Sequence, residues 1–172
     1  MLRTKDILDE KDPRVRAKNT DVDFPLNDEY KDIIPEMLKH LRYSQIEKLS
    51  KKYDLRPGMG LAAPQLGINK NFFVVCYEVK DGVFDDYILI NPKVISYSEE
   101  MIYAGEGEGC LSVNREVEGI VPRHARITVE AYDLDGNKRK YRVREDLAIA
   151  FQHELDHLNG ILFVDYIDPK DP

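Results

Sequence analysis

No apolar run in the sequence approaches the roughly 20 residues that a membrane-crossing helix needs, so no membrane contact is expected. Cysteine is scarce, with Cys76 and Cys110 the whole supply. In a reducing cytosol the two read as a core thiol and a functional thiolate rather than a disulfide. Positive charge is in deficit: the net charge is −7. That argues against a broad nucleic-acid-binding face and leaves room only for a local basic patch. Residues 1–18, MLRTKDILDEKDPRVRAK, hold no apolar signal core, and Asp6, Asp9, Glu10 and Asp12 do not suit an organelle transit peptide. A cytoplasmic protein is expected, with no direct nucleic-acid site. Internal repeats, low-complexity tracts and linkers are also missing. What remains is one domain over residues 1–172, 42% apolar and 33% charged, with enough chain for a real core. No association stripe stands out, and a monomer is expected.

Periodicity divides the chain into three parts. Residues 1–26 read as irregular, punctuated by Pro13 and Pro25. From Asn27, a candidate N-cap, to Tyr53 the apolar residues recur at helical spacing, with Pro35 within the first turns. A longer step between Leu41 and Ile46, beside Ser44, suggests a break between two helices. Arg56-Pro57-Gly58 opens a turn. β-rich runs follow at Phe72–Val79, Tyr87–Ile95, Ile127–Tyr132 and Lys138–Val143, and Asp135-Gly136 makes the last two a hairpin. The acidic stretch Asp81–Asp86 reads as a solvated loop and lacks calcium-loop spacing. Leu147, Ala150, Phe151, Leu155 and Leu158 then mark a helix that Gly160 stops. Ile161–Ile167 reads as a short strand or extended tail. The expected class is α+β, with mixed or antiparallel sheets around a central helix and N-terminal helices before them.

That central helix carries HELDH, residues 153–157. Histidines at i and i+4 lie one above the other, so His153 and His157 can reach one ion, and Glu154 can reach a water beside it. A third ligand is needed. Phe163 stands where one class of such sites has its third histidine, and no glutamate follows Glu154. Asp165, Asp168 and Asp171 lie close to the C-terminus, so the ligand is sought upstream. The best candidate is Cys110, in the glycine-rich GEGEGCLS of residues 105–112. One thiolate and two imidazoles leave a position open for water, as catalytic sites do. A small buried residue in a turn is the alternative reading of Cys110. Cys76, in FFVVCYEV, reads as core. A third segment, PGMGLAAPQLG at residues 57–67, is no phosphate loop. Its Gln65 offers an amide donor suited to a developing oxyanion. His40 and His124 are read as non-ligands.

GMGLAAPQ, EGCLS and HELDH, in this order, resemble the motifs of the peptide deformylase family. DPRVRAKNTDVDFPL, VPRHARITVEAYDLDGN and QHELDHLNGILFVDY extend the likeness from Asp12 to Asp165. The segment before GMGLAAPQ and the EGEGCLSV form resemble the branch of Gram-positive bacteria and mycoplasmas. The resemblance implies that Cys110, His153 and His157 bind one divalent metal, natively Fe²⁺, with Ni²⁺, Co²⁺ or Zn²⁺ able to replace it. It implies Glu154 as general base and acid, and Gln65 with the Leu111 backbone N–H as the oxyanion hole. The implied reaction removes the N-formyl group from the initiator methionine of nascent polypeptides and releases formate. Water activated at the metal would attack the formyl carbon. Gly58, Met59, Gly60, Gly109, Ile149 and Ala150 would line the substrate site, though Ile149 and Ala150 equally suit plain helix packing. Arg123 would pair with Glu108 and brace the Cys110 turn, where a surface pair would contribute little.

Glu118 stands where related sequences often carry proline, at a loop flanking the cleft. Ribosome association is allowed, but the short run after Asp165 offers no C-terminal helix for it. Two other functions fit parts of the pattern: a general HExxH peptidase, and a structural metal module with no use for Glu154 or Gln65.

Overall fold

A computed structural model describes residues 1–172. The segment read as irregular contains two 3-10 turns, Thr4–Asp6 and Pro13–Val15. It also sends Val15, Val22 and Leu26 into the interior. Helix α1 (Asp28–Ser44) starts where the Asn27 side chain accepts from the Glu29 N–H and continues through Pro35. The break falls at the long apolar step, and α2 (Glu47–Tyr53) ends on Asp54 in the left-handed region, φ 53°. Strand β1 (Gly60–Ala62) runs directly into a 3-10 turn, Ala63–Leu66. Then come β2 (Phe72–Lys80), β3 (Val83–Tyr97), β4 (Met101–Ile102), β5 (Arg123–His124), β6 (Arg126–Tyr132), β7 (Lys138–Arg144) and α3 (Glu145–Leu158).

Five strands form one antiparallel sheet in the order β1-β2-β3-β6-β7, and β4 pairs with β5 separately. Strand β2 explains the unbroken apolar run FFVVC. Phe72, Val74 and Cys76 pack with Ile34, Met37 and Leu41 of α1. Phe73 and Val75 face the other way, onto Phe151 and Leu158 of α3. A strand covered on both sides has no polar face to show. Helix α3 is thus pressed onto the sheet by Ala148 and Phe151, and this fixes where its histidines point. A smaller cluster of Cys110, Val113, Val121 and Phe163 ties the glycine-rich loop to the C-terminal segment. No helix is long and apolar enough to cross a membrane.

Two expectations change. Ile161–Ile167 is neither strand nor extended tail: residues Phe163–Tyr166 form a 3-10 turn. The Asp165 carboxylate accepts from the Leu162 N–H at 3.0 Å and is held by Arg16 at 2.6 Å, which closes the turn. The acidic stretch is not all loop. Asp85 and Asp86 already belong to β3, which runs 15 residues. Asp86 pairs with Arg42 at 2.6 Å.

Candidate metal centre and active site

Helix α3 brings His153 and His157 together one turn apart, ring centroids 5.0 Å from each other. The Cys110 Sγ lies 3.3 Å from His157 Nε2. One donor atom from each of Cys110, His153 and His157 falls within 4.8 Å of the others. The three expected donors therefore converge, and the donor types suit a divalent transition metal. Asp165, weighed as a ligand, is committed to Arg16 instead. His40 and His124 each bond a backbone carbonyl, of Leu2 and Ser98 respectively.

The donors are held from behind. His153 Nδ1 meets Glu108 Oε1 at 2.9 Å, which leaves the other ring nitrogen for an ion. Both Glu108 oxygens accept from Arg123 at 2.8 Å. Arg123 reaches on to Asp156 at 2.6 Å, and the Tyr166 hydroxyl donates to the same Asp156 oxygen at 2.8 Å. Arg123 is only 3% exposed, so this is no weak surface pair. Burial alone would raise the Glu108 pKa, but Arg123 and His153 outweigh it and hold the carboxyl below its ordinary range. The carbonyl of Cys110 accepts from the Arg56 guanidinium and from the Val113 N–H, which shapes the turn that aims the thiol.

Glu154 sits beside the donors, 3% exposed, and its Oε1 has no hydrogen-bond partner. Burial pushes its pKa up to about 7, against the pull of His153 and Arg123. Burial also disfavours a charge on His153, but hydrogen bonds to Cys110 and Glu108 raise its pKa well above the usual value. His157 goes well below it, first through burial and then through the charges of His153 and Arg123. A cation at the site would favour the deprotonated form of all three donors.

Gln65 is oriented by the Ala62 N–H, which donates to its Oε1 at 2.9 Å. Its amide nitrogen donates to Ser112 Oγ at 3.0 Å and stands 3.7 Å from Cys110 Sγ. The longer contact leaves one N–H open to a stronger acceptor. A cavity of about 650 Å³ opens onto these groups. Its wall includes Gly58, Met59, Gly60, Gly109, Leu111, Ile149 and Ala150, the residues expected there. Arg56, Asn114, Arg115, Glu116 and Asp146 also line it and were not anticipated. Ser112 was missed too, although a serine in the apolar stretch Leu111–Val113 asks for a buried polar partner.

Fold and donor set together define a metal-dependent hydrolase of the HExxH type. The family model for polypeptide deformylase matches residues 4–172. The peptide deformylase of Macrococcus caseolyticus is 50% identical over all of this chain and 94% of its own length. That of Oceanobacillus iheyensis is 46% identical over the same shares. Among solved structures, a probable peptide deformylase from synechococcus phage S-SSM7 superposes with a TM-score of 0.77 at 35% identity, covering 94% of this chain and 98% of the other. The Thermotoga maritima peptide deformylase gives 0.72 at 33%, covering 95% and 97%. The chain belongs to the polypeptide deformylase family, whose enzymes remove the formyl group from N-formylmethionine. The most similar relatives come mostly from Gram-positive bacteria, in line with the expected branch.

Proposed function

We propose that this chain hydrolyses the N-formyl group of formylmethionyl nascent polypeptides, using Cys110, His153 and His157 to hold one divalent metal and Glu154 to move the proton. The observation that carries this reading is Glu154: a buried carboxylate with an unpartnered oxygen beside three converging metal donors. The cation would supply Lewis acidity, making a water easier to deprotonate and stabilising charge on the formyl oxygen. Glu154 takes a proton from the attacking water, for which a pKa of about 7 is well placed. The Gln65 amide and the Leu111 N–H donate to the formyl oxygen as it gains negative charge. Glu154 then passes its proton to the nitrogen as the C–N bond breaks, giving formate and a free amine. Gly58, Met59, Gly60, Gly109, Ile149 and Ala150 accommodate the methionine end. Glu108 and Arg123 keep His153 in the orientation that presents its free nitrogen.

The native metal in this reading is Fe²⁺, with Ni²⁺, Co²⁺ or Zn²⁺ able to replace it, since one thiolate and two imidazoles suit all of them. The whole of residues 1–172 acts as one catalytic domain, monomeric and working in the cytoplasm where new chains emerge. The test is formate release from formyl-Met-Ala-Ser by protein purified without oxygen, with Met-Ala-Ser alongside and metal content measured. Formate from the first peptide, no cleavage of the second, and a Glu154→Ala variant that keeps its metal but loses turnover are expected. Cleavage of the unformylated peptide would favour a general peptidase. Metal-loaded, folded protein without any turnover would favour a structural metal module.

A further inference from the structure

The acidic total conceals a basic face. Strand β7 reads KRKYRVR, and its Lys138, Lys140, Arg142 and Arg144 alternate with Tyr141 and the buried Val143. Those four cations stand on the side of the sheet away from α3, spaced two residues or about 6.7 Å apart. Register places them in rows. Arg144 lies opposite Arg126 of β6, and Arg142 opposite Thr128, which in turn pairs with Ser96 of β3. Lys140 lies opposite Glu130, which pairs with Lys93. Three of the neighbouring acids are already engaged: Glu100 with Arg126 at 2.7 Å, Glu130 with Lys138 at 3.2 Å, and Asp133 with Arg139 at 3.0 Å. Lys93, Lys140, Arg142 and Arg144 are exposed and have no such partner. Charges on an edge strand discourage unwanted strand pairing. Arg126, on the interior strand β6 directly across from Arg144, adds a further cation to this face, balanced by Glu100.

We propose that this outer face of β3, β6 and β7 docks the phosphate backbone of RNA. A shallow groove of about 460 Å³ runs between Ser96, Tyr97, Arg126, Thr128, Arg142 and Arg144. Arginine forks and hydroxyl groups are what phosphate and ribose oxygens bind. Ser96 and Thr128, paired across β3 and β6, set hydroxyl groups on the same face as Arg142. None of the groove residues lines the catalytic cavity, so docking leaves the formyl site open.

The experiment is fluorescence anisotropy with a labelled single-stranded RNA of about 20 nucleotides, long enough to cover the strip, at salt from about 50 to 200 mM. It compares the intact chain with a Lys140→Gln/Arg142→Gln variant. The expected result is salt-sensitive binding that weakens about tenfold in the variant, with the slope of log affinity against log salt reduced by about 1.4 for two lost phosphate contacts. Unchanged formate release from formyl-Met-Ala-Ser shows the variant is folded, and is independent of the docking reading. Absence of RNA binding by the intact chain would overturn the proposal. So would equal binding by both proteins, or capture by phosphatidylglycerol vesicles in place of RNA.

Discussion

Gly60 is the most informative position for testing how the site holds Glu154, the proposed base. A Cβ added there would collide with Glu154 Oε2 and lie 2.8 Å from Cδ and 3.0 Å from Cγ. Ordinary carbon contacts begin near 3.5 Å, so Glu154 must retreat by about 0.5–0.7 Å along its whole outer half. Rotating the carboxylate does not suffice, because Cγ is also too close. Gly60 lies in β1 with no left-handed φ, so alanine carries no backbone strain and the effect is steric alone. Gly60→Ala should cost about 1–3 kcal/mol of stability through overpacking. Displacing the base by this distance should lower kcat about a hundredfold with KM little changed. Gly58→Ala is the control. Its Cβ would press on the side chain of Leu111, nearest atom 2.9 Å away, and its three nearest contacts include no atom of Glu154. A smaller loss, under about tenfold, is expected there. The assay is formate release with metal content measured in parallel. A Gly60→Ala enzyme within threefold of the parent kcat would refute the reasoning. So would a rate loss that merely tracks lost metal, since that would put the damage at the donors.

Glu108→Ala should weaken metal binding about 10–100-fold by freeing the His153 ring, measured by competition with a chelator. It should also destabilise the fold by about 1–3 kcal/mol, because buried Arg123 donors lose their acceptors while Asp156 still balances the charge; chemical denaturation reads this, and an unchanged midpoint would contradict it. Stripping the metal removes about 2.7 kcal/mol of binding stabilisation when free metal stands a hundredfold above Kd. For a chain of this size that lowers Tm by about 5–10 °C, and calorimetry with and without chelator checks it. Cys76 is fully buried, and burial leads the causes that push its thiol up to about 12. At pH 8 almost none is thiolate, so iodoacetamide should leave Cys76 unmodified in the native protein and alkylate it only after unfolding, as peptide mass mapping would show.

Local geometry made the helical parts of the site legible. An i, i+4 histidine pair needs only a helix, and the Leu147–Leu158 periodicity supplied one. Cys110 became readable by elimination, because neither a third histidine nor a later glutamate was there to complete the set. The buried bracing was less accessible. Gln65 meets Ser112 across 47 residues, and Arg56 meets Cys110 across 54. Neither partner carries a periodic signal. Tyr166 lay inside an apolar run that suits a strand as well as a turn. Only the Asp165 carboxylate and its Arg16 partner decide between them. The full length of β3 was hidden for a related reason: Asp85 and Asp86 are polar residues on a strand whose pairing with β2 outweighs their loop preference.

The charges around the metal site explain why one thiolate suits this chain. Arg123 is already balanced by Glu108 and Asp156, two carboxylates for one guanidinium. That buried set therefore carries one negative charge before any ion arrives. A divalent cation with one thiolate adds one positive charge, and the two sets cancel. Glu154 is then the buried carboxyl whose ionisation changes the net charge of the centre. An imidazole in place of Cys110 would leave the centre with a net positive charge and favour ionised Glu154, a weaker base and a poorer proton carrier. A second thiolate would push the other way and hold the carboxyl protonated, unable to accept the proton from water. In the proposed mechanism, Cys110 is the donor that leaves Glu154 able both to take a proton and to give it back.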